Sequence, residues 1–135
     1  MMTRTDIRSI NPNALPKLNA EIHVVEVQGG KTVRLSDHVT LGADETVVGE
    51  GDFEVQGRET FRNIQAGLKA MRLYFLHVVK PNLYVLNISH PSILCRARDE
   101  FVNLEYLPPS RLVRVAALFR TESVFEADAI AVAPK

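Results

Sequence analysis

Three charged residues in the last third of the chain sit where they could act on a ligand. Arg111 follows Pro109 and Ser110 at the head of a β-rich run. Glu126 and Asp128 alternate through Val124–Val132, a run that is otherwise apolar. A guanidinium is permanently charged and grips a carboxylate with a two-pronged fork. A carboxylate can orient a water molecule and take its proton. Each residue also has a plainer role open to it: Arg111 as a strand-end surface charge, Glu126 as a structural acid paired with an arginine across an interface. Asp128 reads as structural.

Other reactive side chains fit known chemistries poorly. Ser36-Asp37-His38 has the residue types of a nucleophilic relay, but strand neighbours point to opposite faces, so three consecutive residues cannot form one. His23, His38, His77 and His90 lack metal-ligand spacing, and Cys95 is the one cysteine, so no metal site is expected. His38 could line a cleft near the end of its strand. Cys95 reads as a small buried residue of a helix, with a reactive thiol as the minority reading. Gly29-Gly30 is a turn rather than a phosphate loop, because no helix start follows it.

The elements that must position these residues can be read from periodicity. Residues 1–20 are polar and turn-rich and predict an extended arm, with a single domain over 21–135. Ile22–Val27 and Lys31–Ser36 flank the Gly-Gly turn and predict a β-hairpin. A short third strand is expected at Thr46–Val48. Gly57, Thr60, Phe61, Ile64, Gly67, Leu68 and Met71 recur at intervals of three and four, predicting a helix over Phe53–Met71 capped by Asp52. Gly57 and Gly67 on its buried side would allow close approach to a sheet. Leu76–Leu86 predicts a central strand interrupted at Pro81, with a bulge or an unpaired edge there.

A second helix is expected from Pro91 to about Glu105, with Leu94, Ala97, Phe101 and Leu104 as its stripe. Two strands, Ser110–Leu118 and Ser123–Ala133, complete the order β-β-(β)-α-β-α-β-β. In the last strand Phe125, Ala127, Ala129 and Ala131 make a small apolar face suited to packing helices. This is an α+β pattern, a mixed sheet with two helices on one face. The other face, with Ile130 and Val132, is left uncovered, and self-assembly is the remedy expected for it. If the last two strands pair antiparallel with odd-numbered residues opposite even ones, a register the sequence does not fix, Arg111 and Glu126 share a face.

Composition narrows the partners. The chain has 135 residues, with 16 basic and 16 acidic side chains and a net charge of +0. No basic surplus is available to neutralise phosphates, so nucleic acid is not expected as a partner, nor an anionic membrane. A lone cysteine cannot form an intramolecular disulfide and fits a reducing cytosol. The first ten residues lack the apolar core of a signal peptide, and no apolar run is long enough to span a bilayer. A cytoplasmic location is the expectation.

Several stretches together resemble a known family. Val48-Gly49-Glu50-Gly51-Asp52-Phe53, Gln56, Phe61 and Asn63-Ile64, then Val78-Val79-Lys80, Pro109-Ser110-Arg111 and Glu126–Val132, look like the Rid/YjgF reactive-intermediate deaminases, also called the endoribonuclease L-PSP family. The similarity covers roughly residues 11–133. It implies a chorismate-mutase-like fold and a homotrimer with ligand clefts between subunits. It implies hydrolysis of imines or enamines to a keto acid and ammonia, with no cofactor. Arg111 then holds the substrate carboxylate and Glu126 the water.

The chain also departs from the family pattern. Ala20-Glu21-Ile22 replaces a Gly-Tyr-Ser stretch, removing a cleft tyrosine. Asp37 replaces a glycine that lets backbone approach substrate, Cys95 lies near the position of a helical asparagine, and Val113 occupies a site two residues after the arginine where cysteine or valine is common. Glu21 and Asp37 are expected near Arg111, where their charge would disfavour a carboxylate. The expectation is an altered substrate range. The alternative is a non-catalytic, small-molecule-binding homotrimer that keeps the arginine clamp.

Overall fold

The computed structural model describes residues 6–16, 22–38, 44, 46–87, 91–102 and 107–135. The strands are β1 (Ile7–Ile10), β2 (Val24–Val27), β3 (Lys31–His38), β4 (Val78–Val85), β5 (Arg111–Arg114) and β6 (Phe125–Ala133). Two α-helices, α1 (Phe53–Ala70) and α2 (Pro91–Asp99), join them, and a 3₁₀ turn at Phe75–His77 leads into β4. A mixed sheet of order β3-β6-β4-β5 carries the helices, and β1 and β2 form a separate pair. The fold is α+β, as the pattern of elements predicted, and has the chorismate-mutase-like arrangement that the resemblance implied.

The alternation in β6 decides where the core lies. Phe125, Ala127, Ala129 and Ala131 are almost fully buried beneath the helices. Small side chains there let α1 lie close, and its stripe of Phe61, Ile64 and Leu68 fills the layer between. Phe61 meets Phe75, Phe101 and Phe125 at centroid distances of 6.5, 5.8 and 5.9 Å. Asp52 caps α1, its carboxylate accepting from Val55 N at 3.1 Å. Gly57 faces α2 rather than the sheet: a Cβ there would lie 3.7 Å from that of Ala97.

The hairpin expected through Gly29-Gly30 does not form. β2 pairs antiparallel with β1 instead, Ile7 opposite Val27 and Ile10 opposite Val24. β3 pairs with β6. Gly30 shows why the chain crosses over: its φ is +76°, and a Cβ there would lie 2.6 Å from the Ala133 carbonyl oxygen. The turn is pressed against the end of β6 and delivers β3 to it. The expected arm is thus partly a strand, and Asp6 beside it accepts from Lys135 N at 2.9 Å. At 46–48 the expected strand reduces to one bridging residue, Val47, before a turn.

The last two strands do not pair with each other. β6 inserts between β3 and β4, antiparallel to both, and β5 lies outside β4 and parallel to it. The physical reason is the connection: β4-α2-β5 is a strand–helix–strand crossover, which returns a strand parallel to the first. β5 is also shorter than expected, ending at Arg114. At Pro81 the unpaired edge is the feature that occurs: Pro81 is in register opposite Ala129 of β6, its β5 side is open, and the bulge lies just before it. The β4/β6 register shifts between Val78 and Lys80, and β5 begins its pairing only at Asn82.

α2 ends at Asp99, because the chain tightens: Phe101 N bonds Arg98 O at 2.9 Å, and its ring stacks on Phe61. Leu104 of the expected stripe lies outside the described residues. Arg58 of α1 bonds Glu100 just past α2 at 2.8 Å and Glu54 at 3.0 Å. The bond from Arg58 holds the Glu100 carboxyl below its ordinary range, and the bond from Glu100 raises the Arg58 guanidinium. No helix among the described residues is long and apolar enough to cross a membrane.

Candidate functional site

The sheet face away from the helices carries the charged residues. In a ladder, residues directly opposite each other point to the same side. Arg111 lies opposite Asn82, and Asn82 opposite Asp128. One step along, Val113 lies opposite Tyr84, and Tyr84 opposite Glu126. On the other side of the Asp128 row, Ile130 lies between Arg34 and Lys80. Arg111 and Glu126 therefore share a face, but through β4 rather than by direct pairing.

Strand spacing fixes how far apart they are. Arg111 and Glu126 are separated by two strand spacings and one two-residue step, about 12 Å between backbones. Both side chains are long and leave the same side of the sheet, Arg111 exposed and Glu126 buried. The Arg111 side chain is exposed and makes no hydrogen bond or ion pair among the described residues.

Glu126 is held from the loop that precedes its own strand. It is 6% exposed, and its Oε1 accepts from Phe119 N at 3.3 Å. That loop is pinned by Gln56 of α1, which is wholly buried. The Gln56 amide donates to the carbonyls of Glu122 at 2.9 Å and Gly49 at 3.2 Å, and its oxygen accepts from Val124 N at 2.8 Å. Gln56 thus joins the start of α1 to the entry of β6.

Asp128 is the most fully engaged acid on the face. Asn82 Nδ2 donates to Asp128 Oδ1 at 2.7 Å, and the Tyr84 hydroxyl donates to Asp128 Oδ2 at 2.9 Å. Sequence reading passed over Asn82 and Tyr84, although Lys80, Asn82 and Tyr84 alternate along β4 and so declare a shared polar face.

The remaining candidates are scattered. Val113 joins the Glu126 row. Glu21 lies outside the described residues, and so does the side chain of Asp37. The backbone of Asp37 falls in a bulge of β3 between Leu35 and His38, opposite Asp128. That is three strand spacings from Arg111, about 14 Å, so within one chain Asp37 is not the arginine's neighbour as expected. Cys95 is exposed rather than buried, one position past the inward-facing Leu94. It lines a groove of about 230 Å³ with Leu83, Arg98 and Leu112. Leu112 alternates with Arg111, so Cys95 lies on the helix side of β5, away from the Arg111 face. His77 is buried, its Nδ1 accepting from Tyr74 N at 3.0 Å, which makes it a support for the 3₁₀ turn.

Comparison with known proteins identifies the lineage. The family model described as endoribonuclease L-PSP matches residues 16–133. The chain belongs to this family, the Rid/YjgF proteins. Protein DfrA of Myxococcus xanthus is 32% identical over 136 residues, covering 97% of this chain and 99% of that protein. The Rid family protein YyfB of Yersinia pestis, described as of unknown function, superposes with a TM-score of 0.80 at 24% identity. That match covers 95% of this chain and 99% of the other. RidA from an Antarctic Psychrobacter gives a TM-score of 0.70 at 26% identity over 78% of this chain and 84% of its own. The Rid/YjgF architecture therefore supplies the frame on which the Arg111 face is built.

Proposed function

We propose that this protein is a homotrimeric hydrolase of reactive imine or enamine intermediates, yielding a keto acid and ammonia. The observation that supports the reading is that Arg111 and Glu126 leave the same side of the sheet, with the guanidinium exposed and unpaired among the described residues. Arg111 holds the substrate carboxylate. Glu126 orients a water and takes its proton as the oxygen adds to the imine carbon. The carbon–nitrogen bond of the resulting carbinolamine breaks, the nitrogen takes up protons, and ammonia leaves a keto acid. An enamine enters the same path once it tautomerises to the imine. The altered residues at 21 and 37 support a substrate range different from that of other Rid/YjgF proteins.

The test is ammonia release from 2-aminoacrylate generated in place by a pyridoxal-phosphate lyase. Acceleration above the spontaneous rate, lost in Arg111→Ala and Glu126→Gln, supports the hydrolase. No acceleration, with keto-acid binding that disappears in Arg111→Ala, would point instead to a small-molecule-binding trimer. RNA cleavage, suggested by the family's endoribonuclease name, has little support from a net charge of +0. An RNA mobility shift at physiological salt checks that reading.

A further inference from the structure

An exposed arginine beside two carboxylates ordinarily neutralises itself. Asp128 lies two strand spacings from Arg111, about 10 Å between backbones and within the combined reach of the two side chains. Yet no ion pair forms between them. Both oxygens of Asp128 already accept from β4, one from Asn82 Nδ2 and one from the Tyr84 hydroxyl. Asn82 stands between the acid and the arginine in the same row. With its Nδ2 engaged by Asp128, its amide oxygen is left as a neutral acceptor in that row.

We propose that Asn82 and Tyr84 are positioning residues that occupy Asp128 and so keep the Arg111 guanidinium available for a ligand carboxylate. Asn82 insulates in two ways. It engages the acid with a donor, and it leaves a neutral acceptor in the row it shares with the arginine, which can orient the guanidinium without cancelling its charge. Tyr84 engages the second oxygen, which would otherwise be free to swing toward Arg111 or toward Lys80. The proposal rests on the reading of Arg111 as the carboxylate clamp.

The experiment is a rescue series with pyruvate as the probe, its Kd measured by calorimetry on the full chain. Asn82→Leu/Tyr84→Phe strips both donors from Asp128 and should weaken pyruvate binding about 3- to 5-fold, the upper end of what an ion pair competing at a wet surface is worth. Adding Asp128→Asn should restore the parent Kd to within about 2-fold. Unchanged binding in the double variant overturns the proposal. So does weakened binding that the third substitution fails to rescue, since Asn82 or Tyr84 would then act on the ligand directly. If the double variant does not fold, Asn82→Leu and Tyr84→Phe are read singly: each strips one donor from Asp128 and should weaken pyruvate about 2-fold, with Asp128→Asn restoring it, and unchanged binding in both overturns the proposal. If the parent binds no pyruvate, the clamp reading fails, and phenylglyoxal labelling of Arg111, followed by peptide mass spectrometry, separates the two failures. Slower labelling in the double variant with recovery in the triple upholds the insulation of Arg111, and equal labelling in all three overturns it.

Discussion

Gln56→Leu should loosen the protein at the entry to β6 and weaken Glu126 without touching it. The glutamine is wholly buried and makes three hydrogen bonds to backbone groups at Gly49, Glu122 and Val124. Leucine fills much the same space but leaves one N–H and two carbonyls without that partner. A buried group left unpaired costs about 1–3 kcal/mol, and the extra apolar burial offsets part of the sum, so a net loss of about 3 kcal/mol is expected. For a domain of this size that lowers Tm by about 10 °C. Gln56→Glu separates donors from acceptor. It can still accept from Val124 N but sets a carboxylate against two carbonyls, so its own pKa rises on folding. Its destabilisation is therefore largest at neutral pH and relieved as pH falls toward 5. Thermal unfolding at one fixed protein concentration, with hydrogen exchange at the Val124 amide, reads both variants. A fall in Tm under about 2 °C for Gln56→Leu, with Val124 still protected, would refute the reasoning.

Arg111→Ala should lower kcat/KM for an imine substrate about 10- to 150-fold, the worth of a charged hydrogen bond, measured by ammonia release. Glu126→Gln should lower kcat about 100-fold while keto-acid Kd changes little, because shape is kept and proton acceptance is lost. Ile130→Lys would set a third cation between Arg34 and Lys80 on the Arg111 face; the proposed homotrimer then predicts, by light scattering, a trimer mass for the parent and a monomer mass for the variant. The Arg58 bond holds the Glu100 carboxyl below its ordinary 4.5, so its stabilisation is present above that value and is lost as pH falls through the lowered one. Urea unfolding below about pH 4.5 should accordingly fall less steeply with acid in Glu100→Gln than in the parent.

What could be read from the sequence was local. The stripe from Phe53 onward located α1 to within a residue, because a helix buries its own periodic face and Asp52 caps it. The alanine face of β6 foretold the helix layer for the same reason. Strand pairing was not local. Nothing in Ser110–Ala133 says that two consecutive strands are kept apart by β4, because that depends on how α2 carries the chain across the sheet. Gly29-Gly30 has the residues of a hairpin turn, and only the proximity of Ala133 sends β3 elsewhere. At the candidate site, Glu126 stood out as an acid on an apolar face, and Arg111 through the resemblance carried by Pro109-Ser110-Arg111. Asn82 and Tyr84 did not, because an amide and a phenol attract notice only when the acid they serve is known to lie alongside.

The placement of β6 also bears on how the molecule comes into being. It is one of the two interior strands of the four, yet it follows every other strand in chain order. Until residues 125–133 have been synthesised, β3 and β4 each have an open edge and the helices have no alanine face to rest on. Those edges are templates for pairing with the wrong chain. Final folding thus waits on long-range closure of β6 onto strands made much earlier, a slow step for a nascent chain. The same step brings Glu126 and Asp128 onto the face of Arg111, so the polar rows of that face cannot assemble before the fold is complete.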